Sequence, residues 1–234
     1  MTLSLTPFTV YAQSGPASER PTIGLVLSGG GAKGMAHVSV IKVLEDVGIV
    51  PDYITGTSMG SIVGALYAIG YTADEMEDIL KEITWSSLMS DKVTLQEISI
   101  EEKPYYDNYL AEFPIDTYKI GLPRGVLEGQ KLSELFSKLT LRAQNIDDFS
   151  EFPIPFAALS VDVVSGKNII LNKGSLPDAM LASMAIPTIF SPVIKDTMIL
   201  VDGGLARNFP VKEVKDMGAD IVIGINVAGG FGKQ

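Results

Sequence analysis

The sequence IGLVLSGGGAKG, residues 23–34, joins an apolar run to a loop that contains four glycines. A second stretch, YITGTSMG at residues 53–60, repeats this order with a shorter glycine-bearing turn. Each run has the composition of a buried parallel strand, and each turn precedes a segment with helical spacing of apolar or small residues. The two stretches therefore predict consecutive strand–loop–helix units of an α/β sheet.

The remaining sequence continues this alternation of strands and helices. Thr72 and Glu75 form a capping-box pattern that predicts the start of another helix. Further strands are expected at residues 153–164, 167–171 and 198–201, with a last buried strand at residues 219–227. The alternation predicts a three-layer α/β/α fold with a mainly parallel central sheet.

We assign the domain to residues 21–228; one region flanks it on each side, and one region within it is irregular. Residues 1–20 resemble the end of a secretory signal followed by a linker, although the basic segment that opens such signals is missing. The resemblance favours export, to the periplasm, the outer membrane or the cell surface, over a cytoplasmic location. Residues 229–234 have the composition of a C-terminal tail. Residues 85–129, rich in tyrosine and proline, are interpreted either as a partial cover over the site or as an ordinary connecting hairpin.

Composition and charge limit the kinds of partner. The 234 residues carry 18 basic and 28 acidic side chains, which gives a formal charge of −10. A negative chain is not attracted by charge to nucleic acid or to an anionic membrane, so no nucleic-acid partner is expected. The absence of cysteine excludes disulfides and thiolate-bound metals. No apolar run reaches about 18 residues, so no membrane-spanning helix is predicted.

The glycine loop, residues 29–34, fits two kinds of site. Its G-x-G-x-x-G spacing after a strand matches the dinucleotide-binding fingerprint. That fingerprint also requires an acidic residue at the end of the next strand, whereas Asp52 stands at its beginning. A phosphate-binding loop requires a lysine after the last glycine, and Lys33 precedes Gly34. The loop is instead expected to direct backbone amides at an oxyanion. The residues expected to form this oxyanion hole are Gly29, Gly30, Gly31, Ala32, Lys33 and Gly34.

The serine turn, residues 56–60, has the form G-x-S-x-G. The pattern alone is weak evidence in a chain rich in glycine and serine. Here a strand precedes the turn, a helix follows it, and Gly56 and Gly60 flank Ser58, as a nucleophile elbow requires. The hydroxyl of Ser58 is therefore the predicted nucleophile, at a helix N-terminus whose dipole favours negative charge. The alternative is a glycine-bearing turn without chemistry.

A serine nucleophile requires a base, and the single histidine of the chain is poorly placed to be one. His37 precedes Ser58, whereas in α/β-hydrolases the histidine follows both the serine and the acid. A carboxylate is therefore favoured. Asp202 ends an apolar strand and precedes two glycines, at the edge where open α/β sheets hold their sites. Plain turn chemistry is the alternative for Asp202. Asp162 is the next candidate, with a structural role favoured.

The glycine loop, the serine turn and the DGG sequence at residues 202–204, in this order, resemble the motifs of the patatin-like phospholipases. The stretches IKVLE (residues 41–45) and ASMAIP (residues 182–187) also resemble that family. The resemblance covers about residues 20–227. It implies a lipid acyl hydrolase with a Ser-Asp dyad and no catalytic histidine.

The resemblance also implies a role for individual residues. By position, Ser58 would be the nucleophile, Asp202 the base, and the amides around Gly30, Gly31 and Ala32 the oxyanion hole. Lys33 replaces the arginine of plant members, as it does in many bacterial members. Some bacterial members with an export signal are fused to an outer-membrane domain of the autotransporter type.

The expected function is hydrolysis of the carboxylic esters of lipids, as a phospholipase A, lysophospholipase or esterase, through an acyl-serine intermediate. The expected partner is a phospholipid or another lipid ester, with peripheral contact to a membrane and no metal or organic cofactor. Two alternatives stay open. One is a dinucleotide-binding oxidoreductase of the Rossmann type, and the other is a non-catalytic lipid-binding module on the same scaffold.

Overall fold

A seven-stranded sheet forms the centre of the fold. The structure is a computed structural model, and the residues it describes are 20–83, 115–116, 119–120, 129–187 and 189–229. In chain order the strands are β1 (Ile23–Leu27), β2 (Tyr53–Thr57), β3 (Ile115–Asp116), β4 (Lys119–Ile120), β5 (Phe156–Asp162), β6 (Lys167–Leu171), β7 (Val193–Lys195), β8 (Met198–Asp202) and β9 (Ile221–Ile225). The α-helices are α1 (Ala36–Asp46), α2 (Met59–Ala68), α3 (Ala73–Glu82), α4 (Gln130–Leu139), α5 (Leu176–Met184) and α6 (Val211–Asp216).

The central sheet is mixed. Its strand order is β7-β8-β5-β2-β1-β9, with β6 also paired to β5, while β3 and β4 form a separate antiparallel pair. Strands β9, β1, β2 and β5 run parallel, whereas β6, β7 and β8 add antiparallel pairings. The glycine loop and the serine turn follow β1 and β2, in the parallel half.

Helices cover both faces of the sheet. The side chain of Ile54 lies beneath α2 at Gly64, whereas the hydroxyl of its neighbour Thr55 donates to the carbonyl of Pro210 at the start of α6. Because successive strand residues point to opposite faces, α2 and α6 lie on opposite sides of β2. The core on the α2 side also includes α1, α3, α4 and α5. The three-layer α/β/α prediction is confirmed.

Two strands converge on one edge of β5. Strand β2 pairs Thr57 with Leu159, and β8 pairs Asp202 with the next residue of β5, Ser160. Since β6 pairs with the opposite edge along this stretch, β2 and β8 share one edge. They approach each other because β2 runs parallel to β5 and β8 runs antiparallel to it. Ser58, which follows β2, is thereby brought to the end of β8.

Local predictions had mixed outcomes. The capping box is confirmed, because Thr72 accepts from the amide of Glu75 and the Glu75 carboxylate accepts from the amide of Thr72. The expectation of a buried last strand is wrong: β9 ends the strand order and its residues are half-buried or exposed. Most of the region at residues 85–129, interpreted as a cover or a hairpin, lies outside the described residues. No helix within the described ranges is long and apolar enough to cross a membrane.

Candidate active site

Ser58 occupies a strained turn between β2 and α2. Its backbone angles are φ 53° and ψ −126°, a conformation that residues other than glycine rarely adopt. Such a conformation costs of order 1–3 kcal/mol and persists only where the surroundings enforce it. Ser58 is the residue before α2, so its hydroxyl lies at the N-terminal end of that helix.

The flanking glycines permit this turn because each lies against another backbone segment and leaves no room for a side chain. A Cβ at Gly56 would lie 2.4 Å from the carbonyl oxygen of Gly60. A Cβ at Gly60 would lie 2.4 Å from the carbonyl oxygen of Leu27, at the end of β1. Both neighbours are backbone atoms that cannot rotate away. The G-x-S-x-G pattern is therefore a steric requirement of this turn.

The structure brings Ser58 and Asp202 together. The Ser58 hydroxyl donates to Oδ2 of Asp202 at 2.7 Å, and each residue is only 7% exposed. The other carboxylate oxygen, Oδ1, accepts from the amide of Gly204 at 2.7 Å. This second bond fixes the carboxylate plane while Oδ2 faces the hydroxyl. A short bond to a buried carboxylate is the geometry needed to remove a serine proton.

Burial raises the pKa of the Asp202 carboxyl above its ordinary value. The hydrogen bonds from the Gly204 amide and the Ser58 hydroxyl favour the charged form and oppose part of this effect. A raised pKa makes Asp202 a stronger base than an exposed aspartate. The low exposure of the pair also strengthens the interaction of the carboxylate with the hydroxyl proton.

The C-terminal end of α5 and the residue after it form hydrogen bonds with both Ser58 and Asp202. The amide of Ser58 donates to the hydroxyl of Ser183 at 3.0 Å, and that hydroxyl donates to the carbonyl of Leu159 at 2.6 Å. Two residues later, the carbonyl of Ala185 accepts from the amide of Asp202 at 2.9 Å. The sequence showed this stretch only as part of a family resemblance, and these contacts give it a structural role.

The glycine loop lies beside Ser58 at the end of β1. Its amides are not equivalent, because that of Gly29 donates to the carbonyl of Asn208 and that of Lys33 to the carbonyl of Gly30. The expectation that all of residues 29–34 contribute oxyanion donors is therefore wrong for these two amides. Within the described residues, the amides of Gly30 and Gly31 donate to no other group.

The remaining residues of the predicted oxyanion hole differ in exposure. Gly31 has φ +54° and, like Ala32 and the side chain of Lys33, is exposed at the surface of the loop. Gly34 is buried, and a Cβ there would lie 2.3 Å from Cγ of Met59. Gly34 therefore makes room for the side chain that follows the nucleophile, which is a packing role.

Asn208 joins the glycine loop to the turn after Asp202, and sequence reasoning missed it. Its side-chain amide donates to the carbonyl of Gly29 at 3.2 Å, while its own carbonyl accepts from the Gly29 amide at 3.3 Å. Its Oδ1 lies 2.9 Å from the position that a Cβ of Gly204 would take. An asparagine six residues after a strand end has no local pattern that reveals these contacts.

The two other candidate bases occupy structural positions. His37 is fully buried, and its Nε2 bonds to the carbonyl of Ser28 at 2.8 Å, while its Nδ1 has no partner within the described residues. Burial lowers the pKa of His37, which favours the neutral form of the ring. Asp162 accepts from the hydroxyl and amide of Ser165 and from the amides of Val164 and Ile199, which holds the turn after β5. The Ser165 hydroxyl is the main cause that lowers the pKa of Asp162.

An apolar cavity begins at Met59, the residue after the nucleophile. Its walls come from α1, α2, α3 and α4, and every described side chain that lines it is apolar. Representative lining residues are Val38, Met59, Leu66, Leu80, Leu135 and Leu139. Met59 lies between this cavity and the glycine loop, because its side chain also contacts Gly34. Met59 therefore links the cavity to the serine turn, since it follows Ser58 directly.

A metal site and a dinucleotide site would each place requirements on the described residues. No group of three or more acidic or histidine side chains suited to a metal ion occurs in the described part of the chain. Asp52, the acidic residue nearest to the dinucleotide pattern, accepts from Arg20 and from the amide of Ile23. Those contacts lie at the start of β1, at the opposite end of the strand from the glycine loop.

Comparison with known proteins identifies the family. A family model described as patatin-like phospholipase matches residues 25–215, which include the glycine loop, the serine turn and Asp202. The chain belongs to the patatin-like phospholipase family. The family resemblance inferred from the motifs is confirmed by this match.

Relatives in this family are distant in sequence and longer than this chain. An uncharacterized NTE family protein of Mycobacterium tuberculosis is 28% identical over 212 residues, which is 91% of this chain and 51% of that protein. Patatin-like phospholipase domain-containing protein 6 of Homo sapiens is 29% identical over 208 residues, 88% of this chain and 13% of that protein. The chain therefore spans about half the length of the mycobacterial relative.

A solved structure shares the fold. The crystal structure of VipD from Legionella pneumophila aligns with a TM-score of 0.56 and 15% identity. The alignment covers 87% of this chain and 49% of that one. At this level of identity the similarity concerns the fold alone.

Proposed function

We propose that this chain hydrolyses the carboxylic esters of lipids, with Ser58 as nucleophile and Asp202 as base. The observation that carries the proposal is the 2.7 Å hydrogen bond from the Ser58 hydroxyl to Oδ2 of Asp202. The strained turn at Ser58 and membership in the patatin-like phospholipase family support the same role. The buried His37 takes no part in the reaction.

The proposed reaction has two halves. Asp202 accepts the hydroxyl proton as Oγ of Ser58 attacks the ester carbonyl, which forms a tetrahedral oxyanion. The amides of Gly30 and Gly31 stabilise this oxyanion, since they have no other acceptor in the described chain. Collapse of the intermediate expels the alcohol, which takes the proton from Asp202. Water then attacks the acyl-serine and gives a proton to Asp202; the bond to Oγ of Ser58 breaks, Oγ takes that proton back, and the carboxylic acid leaves.

The apolar cavity suits the acyl part of the substrate. Its described lining is apolar and would reject a polar headgroup, but its free volume is about 20 Å³, so a hydrocarbon chain would enter only as the lining side chains move apart. An acyl chain attached at Ser58 would reach it past Met59, a flexible side chain that moves at little cost. We propose that the fatty acyl chain enters this cavity and that the alcohol part of the lipid remains toward solvent.

Contact with a lipid surface would use apolar side chains. Ile186 and Ile189 follow the segment that binds Asp202, and Leu205 follows the glycines after it; their exposed fractions are 38%, 41% and 62%. The net charge of −10 gives no attraction to anionic headgroups. We therefore propose peripheral binding that depends on apolar contact and changes little with salt concentration.

Labelling with a fluorophosphonate tests the proposal. The wild-type protein is expected to incorporate one probe at Ser58, identified by peptide mass spectrometry, and to hydrolyse a soluble butanoyl ester. Ser58→Ala removes the labelled residue and serves as the control. An oxidoreductase would instead bind NAD in a calorimeter without labelling, and a lipid-binding module would bind acyl chains without turnover. Either result in place of labelling would refute the assignment.

A further inference from the structure

The hydroxyl of Ser183 holds the backbone of the nucleophile. It accepts from the amide of Ser58 at 3.0 Å and donates to the carbonyl of Leu159 at 2.6 Å. Because its proton is directed to Leu159, a lone pair is left to face the Ser58 amide. Ser183 is fully buried, so water does not replace either partner. The strained turn is thus tied to β5 through one side chain.

The same segment also holds the base. The carbonyl of Ala185 accepts from the amide of Asp202, and the carbonyl of Ala182 accepts from the hydroxyl of Ser160 at 3.3 Å. The Ser160 hydroxyl also bonds the carbonyl of Val201, the residue before Asp202, at 2.7 Å. The segment at residues 182–185 is therefore hydrogen-bonded both to Ser58, which follows β2, and to Asp202, which ends β8.

The use of the Ser58 amide by Ser183 has a chemical consequence. A donor engaged in a buried hydrogen bond is not free to stabilise an oxyanion without breaking that bond. The Ser58 amide is therefore committed to the turn and is not available to the oxyanion. The hydroxyl of Ser61 donates to the Ser58 carbonyl at 2.7 Å and so holds the next peptide unit, on the other side of the Ser58 Cα.

We propose that Ser183 is a positioning residue for the reaction: its hydroxyl orients Ser58, and the segment at residues 182–185 sets the separation between Ser58 and Asp202. This role rests on the proposed hydrolase function. Ser183 touches neither the substrate nor the reacting atoms, and it acts only through the Ser58 backbone. Loss of its hydroxyl leaves the strained turn free to relax and moves Oγ of Ser58 away from the line of attack.

Ser183→Ala tests this role against a matched variant. Thr140→Val removes another buried hydroxyl, which donates to the carbonyl of Phe136 at 2.7 Å, far from the site in sequence. Both variants are expected to unfold at a lower temperature than the wild type. Only Ser183→Ala is expected to lower kcat for a butanoyl ester, by about 10- to 100-fold, with KM changed by less than about threefold.

Two further measurements separate positioning from loss of structure. The rate of fluorophosphonate labelling at Ser58, measured below the unfolding transition, is expected to fall in parallel with kcat. Hydrogen exchange at the Ser58 amide, followed by NMR, is expected to accelerate in Ser183→Ala and to stay slow in Thr140→Val. If Ser183→Ala does not fold, Ser183→Cys keeps a group of similar shape with weaker hydrogen bonds, and an intermediate kcat is expected.

The outcomes are distinct. Wild-type labelling together with a folded Ser183→Ala that labels and turns over within about twofold of wild type would overturn the positioning role and leave the proposed function standing. A wild-type chain that neither labels nor hydrolyses would overturn both. Slow exchange at the Ser58 amide in Ser183→Ala would show that the hydroxyl does not hold that amide, and would also overturn the role.

Discussion

Ser58 and Asp202 share a 2.7 Å hydrogen bond although 144 positions separate them in the sequence. The pairing of β5 explains this, because Leu159 faces the last residue of β2 and Ser160 faces Asp202, the last residue of β8. The ends of β2 and β8 thus lie next to each other along β5, and Ser58 directly follows the end of β2. The separation of nucleophile and base is therefore set by the register of a central strand and not by a flexible loop.

Substitution of either reacting group is expected to abolish hydrolysis while the fold is retained. Ser58→Ala removes the nucleophile and Asp202→Asn removes the base while it keeps the size of the side chain. We expect kcat for a butanoyl ester to fall by about 10³-fold or more in each case, because the two groups act as a unit. Steady-state kinetics and circular dichroism of the purified variants provide the measurement.

Two control variants test the neighbouring titratable groups. His37→Gln keeps a donor for the carbonyl of Ser28, and Asp162→Asn keeps one of the two acceptor oxygens of that side chain. Both are expected to retain kcat within about threefold of wild type, since neither group touches Ser58. A strong loss in His37→Gln combined with activity in Asp202→Asn would reverse the assignment of the base.

Titration of Asp202 should raise activity and lower stability as pH increases. The base must be deprotonated, so kcat/KM is expected to rise with pH through an apparent pKa above that of an ordinary aspartate. Folding raises the pKa of this carboxyl, so the folded state binds its proton more tightly than the unfolded state does. That contribution to stability is full below the unfolded pKa and is lost as pH rises through the folded pKa.

Asp202→Asn therefore gives a stability readout. Near neutral pH the variant lacks the buried charge, and we expect its unfolding midpoint to exceed that of wild type. Below the ordinary pKa of aspartate this difference is expected to vanish, because the wild-type carboxyl is then also uncharged. Thermal unfolding across this pH range checks the sign, and a variant less stable than wild type near neutral pH would contradict it.

The glycines of α2 offer a matched pair one helical turn apart. A Cβ at Gly60 would meet backbone oxygens of Leu27 and Ser28 at 2.4 Å and 2.6 Å, whereas a Cβ at Gly64 would meet only side chains, the nearest that of Ile54 at 3.0 Å. We expect Gly60→Ala to lower the free energy of unfolding by at least about 2 kcal/mol and to abolish activity. Gly64→Ala should stay within about 1 kcal/mol of wild type, since alanine favours the helix. Urea titration measures both, and equal effects would contradict the steric explanation.

The groups that the sequence predicted are those with a local signature. Gly56 and Gly60 flank a serine because the turn admits no side chain there, and Asp202 stands where a strand ends before two glycines. Such requirements involve only a few consecutive residues, so they can be recognised in the sequence without a structure. The same holds for the capping box at Thr72.

The features that the sequence did not reveal depend on contacts between distant residues. Ser183 bonds an amide 125 positions away and Asn208 a carbonyl 179 positions away. Neither a serine at a helix end nor an asparagine in a loop differs locally from a solvent-exposed one. The antiparallel direction of β8 was equally hidden, because an apolar strand has the same composition in either direction. The engagement of the Gly29 amide was hidden for the same reason, since its acceptor, the carbonyl of Asn208, lies in a remote loop.

The apolar cavity predicts a dependence on acyl chain length. Leu135 is half-buried on α4 and lines the cavity, and Lys138 is exposed on the same helix. Leu135→Trp adds bulk where the chain is proposed to lie, so kcat/KM for a dodecanoyl ester is expected to fall by about tenfold or more. A butanoyl ester is too short to reach this point and should be hydrolysed at a rate within about twofold of wild type.

Lys138→Trp places the same side chain on the outer face of α4 and is expected to leave both esters unaffected. Comparison of the two esters within each variant cancels any difference in the fraction of folded enzyme. Equal losses for both esters in Leu135→Trp would mean that the substitution disturbs the fold instead of the binding of the chain. Unchanged hydrolysis of the dodecanoyl ester would exclude the cavity as the acyl site, because a tryptophan at Leu135 leaves no room for the hydrocarbon.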